Sequence, residues 1–402
     1  MRISTSMAFE SGAAGIAKQQ YDLIKTQQQL ASGRRVMTAS DDPIAAARIV
    51  DVASSQALNA RYLANQTAAR NDISITESHL GQATNILQDI RTLLIQAGDG
   101  AYGDRERADV AREIEVRSEE LLALANSRDA SGRYAFSGFQ ENTPAFKLTG
   151  AGVLFQGDEG RREVQVANGR TLNTSLSAAE VFDRVRTGNG VFTSGAAATN
   201  TGAAMISLGQ VADAQALDGH TYSLVFHVNA GATTYDILDI TASTTVSAGV
   251  AYVPGASIVV AGMQSDVSGP PSEGDSFALT PSPMKNIFNA INDAVALLRG
   301  GAGSAAPRAK LAMGIAGIMA HVDRTLDQVS QARTEAGVAL GDLDRLESAT
   351  SGLDIGYEQQ MSQLRDLDYT KAVSELLRQQ TAVEASQKAF ARVMGRSLFD
   401  LL

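Results

Sequence analysis

Apolar side chains recur every seven residues at both ends of the chain. Phe9, Ile16, Leu23 and Leu30 follow this spacing near the start, and Tyr369, Leu376, Val383 and Phe390 repeat it near the end. Gln20, Gln27, Gln380 and Gln387 each follow an apolar position by four residues, which leaves half of either seam polar. Such a repeat keeps a narrow stripe turned towards one partner, as in a coiled coil. The matched pattern at opposite termini predicts that the two ends pair. Burying so narrow a stripe recovers less free energy than ordering a long helix costs in conformational entropy. The terminal helices are therefore expected to be frayed in the free monomer and to order when several copies surround them. Leu398, Phe399, Leu401 and Leu402 end the sequence on apolar residues, an end either tucked into the monomer or kept for a neighbour.

The inner seams are fuller. Ile73, Leu80, Leu87 and Leu94 are joined by Ala83 and Ile90, and Val110, Ile114, Arg117, Leu121 and Leu124 follow the break GDGAYGD. Val322, Leu326, Val329, Ala336, Leu340 and Leu343 form another. Together they predict a small helical bundle. Proline costs about 3 kcal/mol inside a helix, and there is none from Ile44 to Thr143 or from Arg308 to Leu402.

Between these zones the period changes to two. In TYSLVFHV, Tyr222, Leu224, Phe226 and Val228 alternate with the other side chains, and TYDILDI beyond NAGATT completes a hairpin. VLF and REVQV, on either side of Gly157-Asp158-Glu159-Gly160, read as an earlier hairpin with GDEG as its turn. Strands are expected from about residue 135 to about residue 280. The predicted class is α+β and multidomain: long coiled-coil-like terminal helices, a helical bundle drawn from both chain ends, and a central β-rich domain. The expected domains are 1–40 with 360–402, 41–135 with 284–359, and 136–283.

Composition sharpens this division. Five of the eight prolines lie between Pro254 and Pro283. From Val191 to Pro283 there are seven carboxylates and no Lys or Arg, in a chain of net charge -10. That charge argues against nucleic-acid binding. No stretch approaches the roughly 18 apolar residues of a membrane span, and MRISTSMAFESGAAG lacks the unbroken apolar run of a cleavable signal peptide. The absence of cysteine removes disulfides, thiolate metal sites and cysteine nucleophiles.

No constellation argues for catalysis, a cofactor or a metal. His79, His220, His227 and His321 are scattered, although His220 and His227 could meet across strands. Neither a phosphate-binding glycine loop nor a GxSxG elbow occurs. Acidic residues support a glycosidase only when two carboxylates face each other across a cleft.

ASGRRVMTASDDP, Ala31 to Pro43, reads first as a helix stop and start. Gly33 takes the left-handed end after Ser32, and Asp41 or Ser40 caps the next helix with Pro43 in its first turn. Between the caps, Arg34 and Arg35 with Val36 and Met37 offer a mixed basic and apolar contact surface.

LASGRRVMTASDDPIAAARI resembles the N-terminal segment of the bacterial flagellins and their junction relatives, and LRDLDYTKAVSELLRQQTAVEASQKAFARVMGRSLFDLL resembles their C-terminal helix. ILQDIRTLLIQAGDG and GRYAFSGFQENTPAF agree in the same order, so the resemblance covers roughly the first 180 and last 120 residues. The Asp42-Pro43 step, the GRYAFSGFQENTPAF segment with the VLFQGDEGRREVQV hairpin after it, and the ending SLFDLL resemble the hook-filament junction members. Arg396 and Leu401 depart from the apolar and aromatic residues of that pattern.

The resemblance implies a structural flagellar protein without a cofactor or enzymatic activity, exported through the type III apparatus without a cleaved signal peptide. The implied partners are further copies of itself in a ring or layer, the hook-side junction protein, flagellin, the export apparatus and a cytosolic export chaperone, with no nucleic acid or membrane. Assembly contacts are expected at Phe9, Ile16, Leu23, Leu30, Arg34, Arg35, Tyr369, Leu376, Val383, Phe390, Leu398 and Phe399. A filament flagellin, or a cytosolic bundle carrying a β binding module, remains open at this point.

Overall fold

The computed structural model describes residues 5–395 apart from residues 130 and 230. Among the described residues, six α-helices carry the chain ends: α1 (Thr5–Ser32), α2 (Pro43–Ala97), α3 (Asp104–Ala125), α4 (Ile287–Arg299), α5 (Ala305–Arg365) and α6 (Tyr369–Gly395). Strands occupy the sequence between α3 and α4. This is the α+β arrangement expected from the change of period. Leu398 and Phe399, named above as assembly contacts, lie outside the described residues.

The chain packs as two compact units, one of residues up to 66 and from 345, the other of residues 67–344. In the first, α1 and α6 run antiparallel, as shown by Phe9 against Phe390 and Thr26 against Gln379. The initial part of α2 and the final part of α5 pair through polar contacts. Asn59 donates from Nδ2 to the Thr350 carbonyl at 2.9 Å, and Gln66 donates from Nε2 to Thr350 Oγ1 at 2.9 Å.

Among its described residues the second unit has two apolar clusters. Leu80, Leu87, Ile90 and Leu94 of α2 meet Ile114 and Leu121 of α3, Phe288 and Ile291 of α4, and Val322 and Val329 of α5. Phe136, Phe146, Val153 and Phe182, from the segment between α3 and the outer sheet, are buried in the same cluster. Phe146 lies 4.8 Å from Phe288, ring centroid to centroid, close to edge-on, a geometry aromatic rings favour. Phe192, Leu224, Phe226, Phe277 and Leu279 form the other cluster.

That outer cluster lies on an antiparallel sheet of five strands, ordered 244–251, 232–239, 222–229, 276–281 and 192–196. Strands Tyr222–Asn229 and Ala232–Asp239 form the expected hairpin. Tyr222, Leu224 and Phe226 face inward, while Val228 is exposed at the strand end.

The earlier hairpin differs from expectation. Gly152–Phe155 pairs with Phe146–Thr149, and Glu163–Ala167 pairs with Arg170–Asn173, so VLF and REVQV belong to separate ladders. Asp158 lies between the two ladders. Its Oδ1 accepts from the backbone N–H of Phe139 and of Gly160, both at 2.8 Å, which ties GDEG to the Ser137–Phe139 segment as a connector.

The chain enters and leaves the outer β region through one short ladder, Val185–Arg186 against Met284–Lys285. One face of α5 supports that region. Lys310 donates to the Ala198 carbonyl at 2.7 Å, Arg324 to the Gly188 carbonyl at 2.6 Å, and Gln328 to the Arg184 carbonyl at 3.3 Å. These positions recur at helical spacing, which puts them on one stripe.

Candidate functional site: the terminal helix pair and its linking turns

The seven-residue stripe of α1 faces α6 only in part. Ile16, Leu23 and Leu30, with Leu376 and Phe390, are half-buried, and Val383 is buried. Phe9 is 48% exposed even though its ring lies 5.4 Å from that of Phe390, and Tyr369 is 56% exposed. Gly12 permits the close approach, since a Cβ there would lie 2.8 Å from the Phe390 ring.

The polar contact of the seam falls beside the glutamines of the repeat, of which Gln20, Gln27 and Gln387 are exposed. Thr26, itself buried, donates to Gln379 Oε1 at 2.9 Å. The partner is thus the half-buried Gln379, adjacent to the Gln380 that the repeat singles out. Within the same unit Met7, Tyr21, Ile24, Val373 and Leu377 are exposed. These helices carry apolar residues on faces that the monomer leaves uncovered.

Gly33 takes φ +68° and closes α1 at Ser32, as its position predicts. The cap of α2 differs. Asp42, rather than Asp41 or Ser40, accepts from the Ala45 N–H at 3.0 Å, with Pro43 as the first helical residue. Asp41 closes the turn itself, accepting from the Met37 and Thr38 N–H groups at 3.0 and 2.8 Å and pairing with Lys25 at 2.8 Å. The Lys25 ammonium, followed by the Thr38 N–H, holds the Asp41 carboxyl far below the ordinary range.

The two turns of this unit are hydrogen-bonded to each other. The Arg35 N–H donates to the Arg365 carbonyl at 2.6 Å and the Leu367 N–H donates to the Gly33 carbonyl at 3.0 Å, which sets the Arg34 and Asp366 backbones side by side as an isolated antiparallel bridge. Arg35 also uses its side chain within the chain, donating to the Leu364 carbonyl at 2.8 Å and to Asp42 at 3.1 Å. Val36 is buried, which corrects its reading as surface, while Arg34 and Met37 remain exposed. Nothing in the local pattern of either turn announces this pairing, because its partners lie more than 300 residues apart.

The histidines do not converge. His220 meets Asp239 at 2.8 Å, and His227 sits between Asp236 at 3.2 Å and Glu273 at 3.3 Å. Among the described residues, Asp218, His220 and Asp239 form the group able to surround a metal ion. Its ligand atoms already serve one another and the turn: Asp218 accepts from the Tyr222 hydroxyl and the His220 N–H, and Asp239 accepts from the Ala242 N–H. No described helix is long and apolar enough to cross a membrane.

Comparison with known proteins follows the same division into ends and middle. Residues 3–141 match the bacterial flagellin N-terminal helical region, and residues 319–402 match the C-terminal helical region. The chain is 27% identical over 402 residues to flagellar hook-associated protein 3 of Salmonella typhimurium, covering 100% of this chain and 99% of that one. The crystal structure of flagellar hook-associated protein 3 from Legionella pneumophila superposes with a TM-score of 0.76 at 26% identity, over 79% of this chain and 98% of the other. The B-type flagellin of Pseudomonas aeruginosa is 28% identical over 141 residues only, 34% of this chain.

Proposed function

The chain belongs to the flagellin-like family of bacterial flagellar structural proteins, and on that premise we propose that it assembles at the distal end of the hook and connects the hook-side junction protein to the flagellin filament. One observation carries the choice within the family. Similarity to hook-associated protein 3 runs through the central β region, whereas similarity to the flagellin spans about a third of the chain.

In this reading identical subunits form a layer, and the paired α1 and α6, with their uncovered apolar faces, are the assembly domain. Phe9, Ile16, Leu23, Leu30, Tyr369, Leu376, Val383 and Phe390 supply its seam, Arg34 its exposed basic contact, and Leu398 and Phe399 its apolar end. The subunit leaves the cell through the flagellar export apparatus, delivered by a cytosolic chaperone and without a cleaved signal peptide. Its role is mechanical and involves no catalysis.

A strain deleted for the protein should carry complete hooks, secrete flagellin into the medium and build no filament, as seen by electron microscopy and by immunoblotting of the supernatant. Loss of filaments with no flagellin secreted would instead favour a filament subunit. Normal filaments would remove both flagellar readings.

A further inference from the structure

The outer β region is joined to the helices through the ladder of Val185–Arg186 with Met284–Lys285. His321 of α5 lies beneath it. The residue is 2% exposed, and among the described residues neither ring nitrogen makes a hydrogen bond, although the Arg186 and Lys285 carbonyls stand near the ring. Beside it opens a cleft of about 420 Å³, bordered by Thr187, Lys285, Asp293 and Lys310.

We propose that His321 is an acid-sensitive pin: while neutral it packs under the entry and exit strands, and on protonation it releases the outer β region from its seat on α5. The surroundings are built for an uncharged ring. Lys285 on the exit strand and Arg324 one turn along α5 both oppose a positive charge there, while the Arg186 and Lys285 carbonyls favour one. The nearby carboxylate, Asp293 of α4, is already paired with the Lys285 ammonium, and Lys310 is held by the Ala198 carbonyl. Arg324 is itself engaged with the Gly188 carbonyl and remains cationic across this pH range. A proton on His321 therefore finds no counter-charge without movement of the ladder.

Burial, the dominant influence, lowers the His321 pKa to about 4 from an ordinary 6.5. The folded value lies below the free one, so the neutral ring's contribution is fully present above the ordinary value. It is lost progressively as the pH falls from there towards the folded value. The two values predict a released state roughly 20-fold more populated at pH 5 than at pH 7.

The test is amide hydrogen exchange on the full chain, corrected for the intrinsic pH dependence and read on peptides covering the ladder strands. The wild type should lose protection there about 20-fold between pH 7 and pH 5. His321→Leu, and His321→Gln as a polar variant that does not titrate, should show no such loss. His79 also titrates low through burial, but it is bonded to Ser127 and is read on other peptides. Unchanged protection in the wild type, or the same loss in a folded variant, would overturn the proposal.

Discussion

The two packing units invest their apolar residues differently. In the unit of residues 67–344, Leu80, Leu87, Ile90, Leu94, Phe136 and Phe288 are essentially inaccessible to solvent. In the unit formed by the chain ends, the buried apolar residues among those described are Val36, Ala45, Met361, Ala372 and Val383, of which two are alanines and none is fully shielded from solvent. There Met7, Phe9, Tyr21, Ile24, Tyr369 and Leu377 are exposed. A monomer that must hold itself together buries its large side chains, and one that must assemble keeps some of them in reserve. The unit of residues 67–344 is closed by its own core, and the unit of the chain ends is held by hydrogen bonds, ion pairs and a half-dry seam.

The largest effect that would break this contrast lies in the core. Phe288→Ala should cost about 3–5 kcal/mol in urea unfolding of the monomer. Phe9→Ala removes an exposed ring pair and should cost no more than about 0.5–1.5 kcal/mol, yet leave a subunit that fails to join hooks. Equal losses in the two variants would erase the distinction.

A smaller effect tests the turns. Gly33→Ala forces a side chain into a left-handed backbone, at about 1–2 kcal/mol, and its Cβ would lie 2.8 Å from the Tyr369 hydroxyl. Thermal unfolding should register the loss, and an unchanged midpoint would mean that the stitched turns contribute little.

The smallest effect on the monomer is expected at Arg34. Arg34→Ala should stay within about 0.5 kcal/mol of the wild type while weakening assembly in a sedimentation assay with purified hooks. Arg35→Ala should also loosen the turn, because Arg35 holds Leu364 and Asp42. If the two variants behave alike in the monomer, the division of labour between the arginines is wrong.

Periodicity alone determined a good deal. The change from seven to two and back located helices and strands, because each backbone geometry puts its side chains on a face with its own repeat. Proline's exclusion from helix interiors drew the same borders, and Gly33 marked the end of α1 through its freedom at positive φ. What the sequence left open depends on partners far away along the chain. Asp41 and Asp42 are adjacent and chemically alike, yet only contact with Lys25 and Arg35 gives one the turn and the other the cap.

The same reasoning separates Arg34 from Arg35, both exposed, of which Arg35 holds the Leu364 carbonyl and Asp42 with its side chain, and it selects Gln379 as the partner of Thr26. It also explains GDEG. Its composition is that of a hairpin turn, but Asp158 found backbone donors on another segment and the strands paired elsewhere. Local propensity limits which conformations are affordable, and long-range hydrogen bonds and burial select among those that remain.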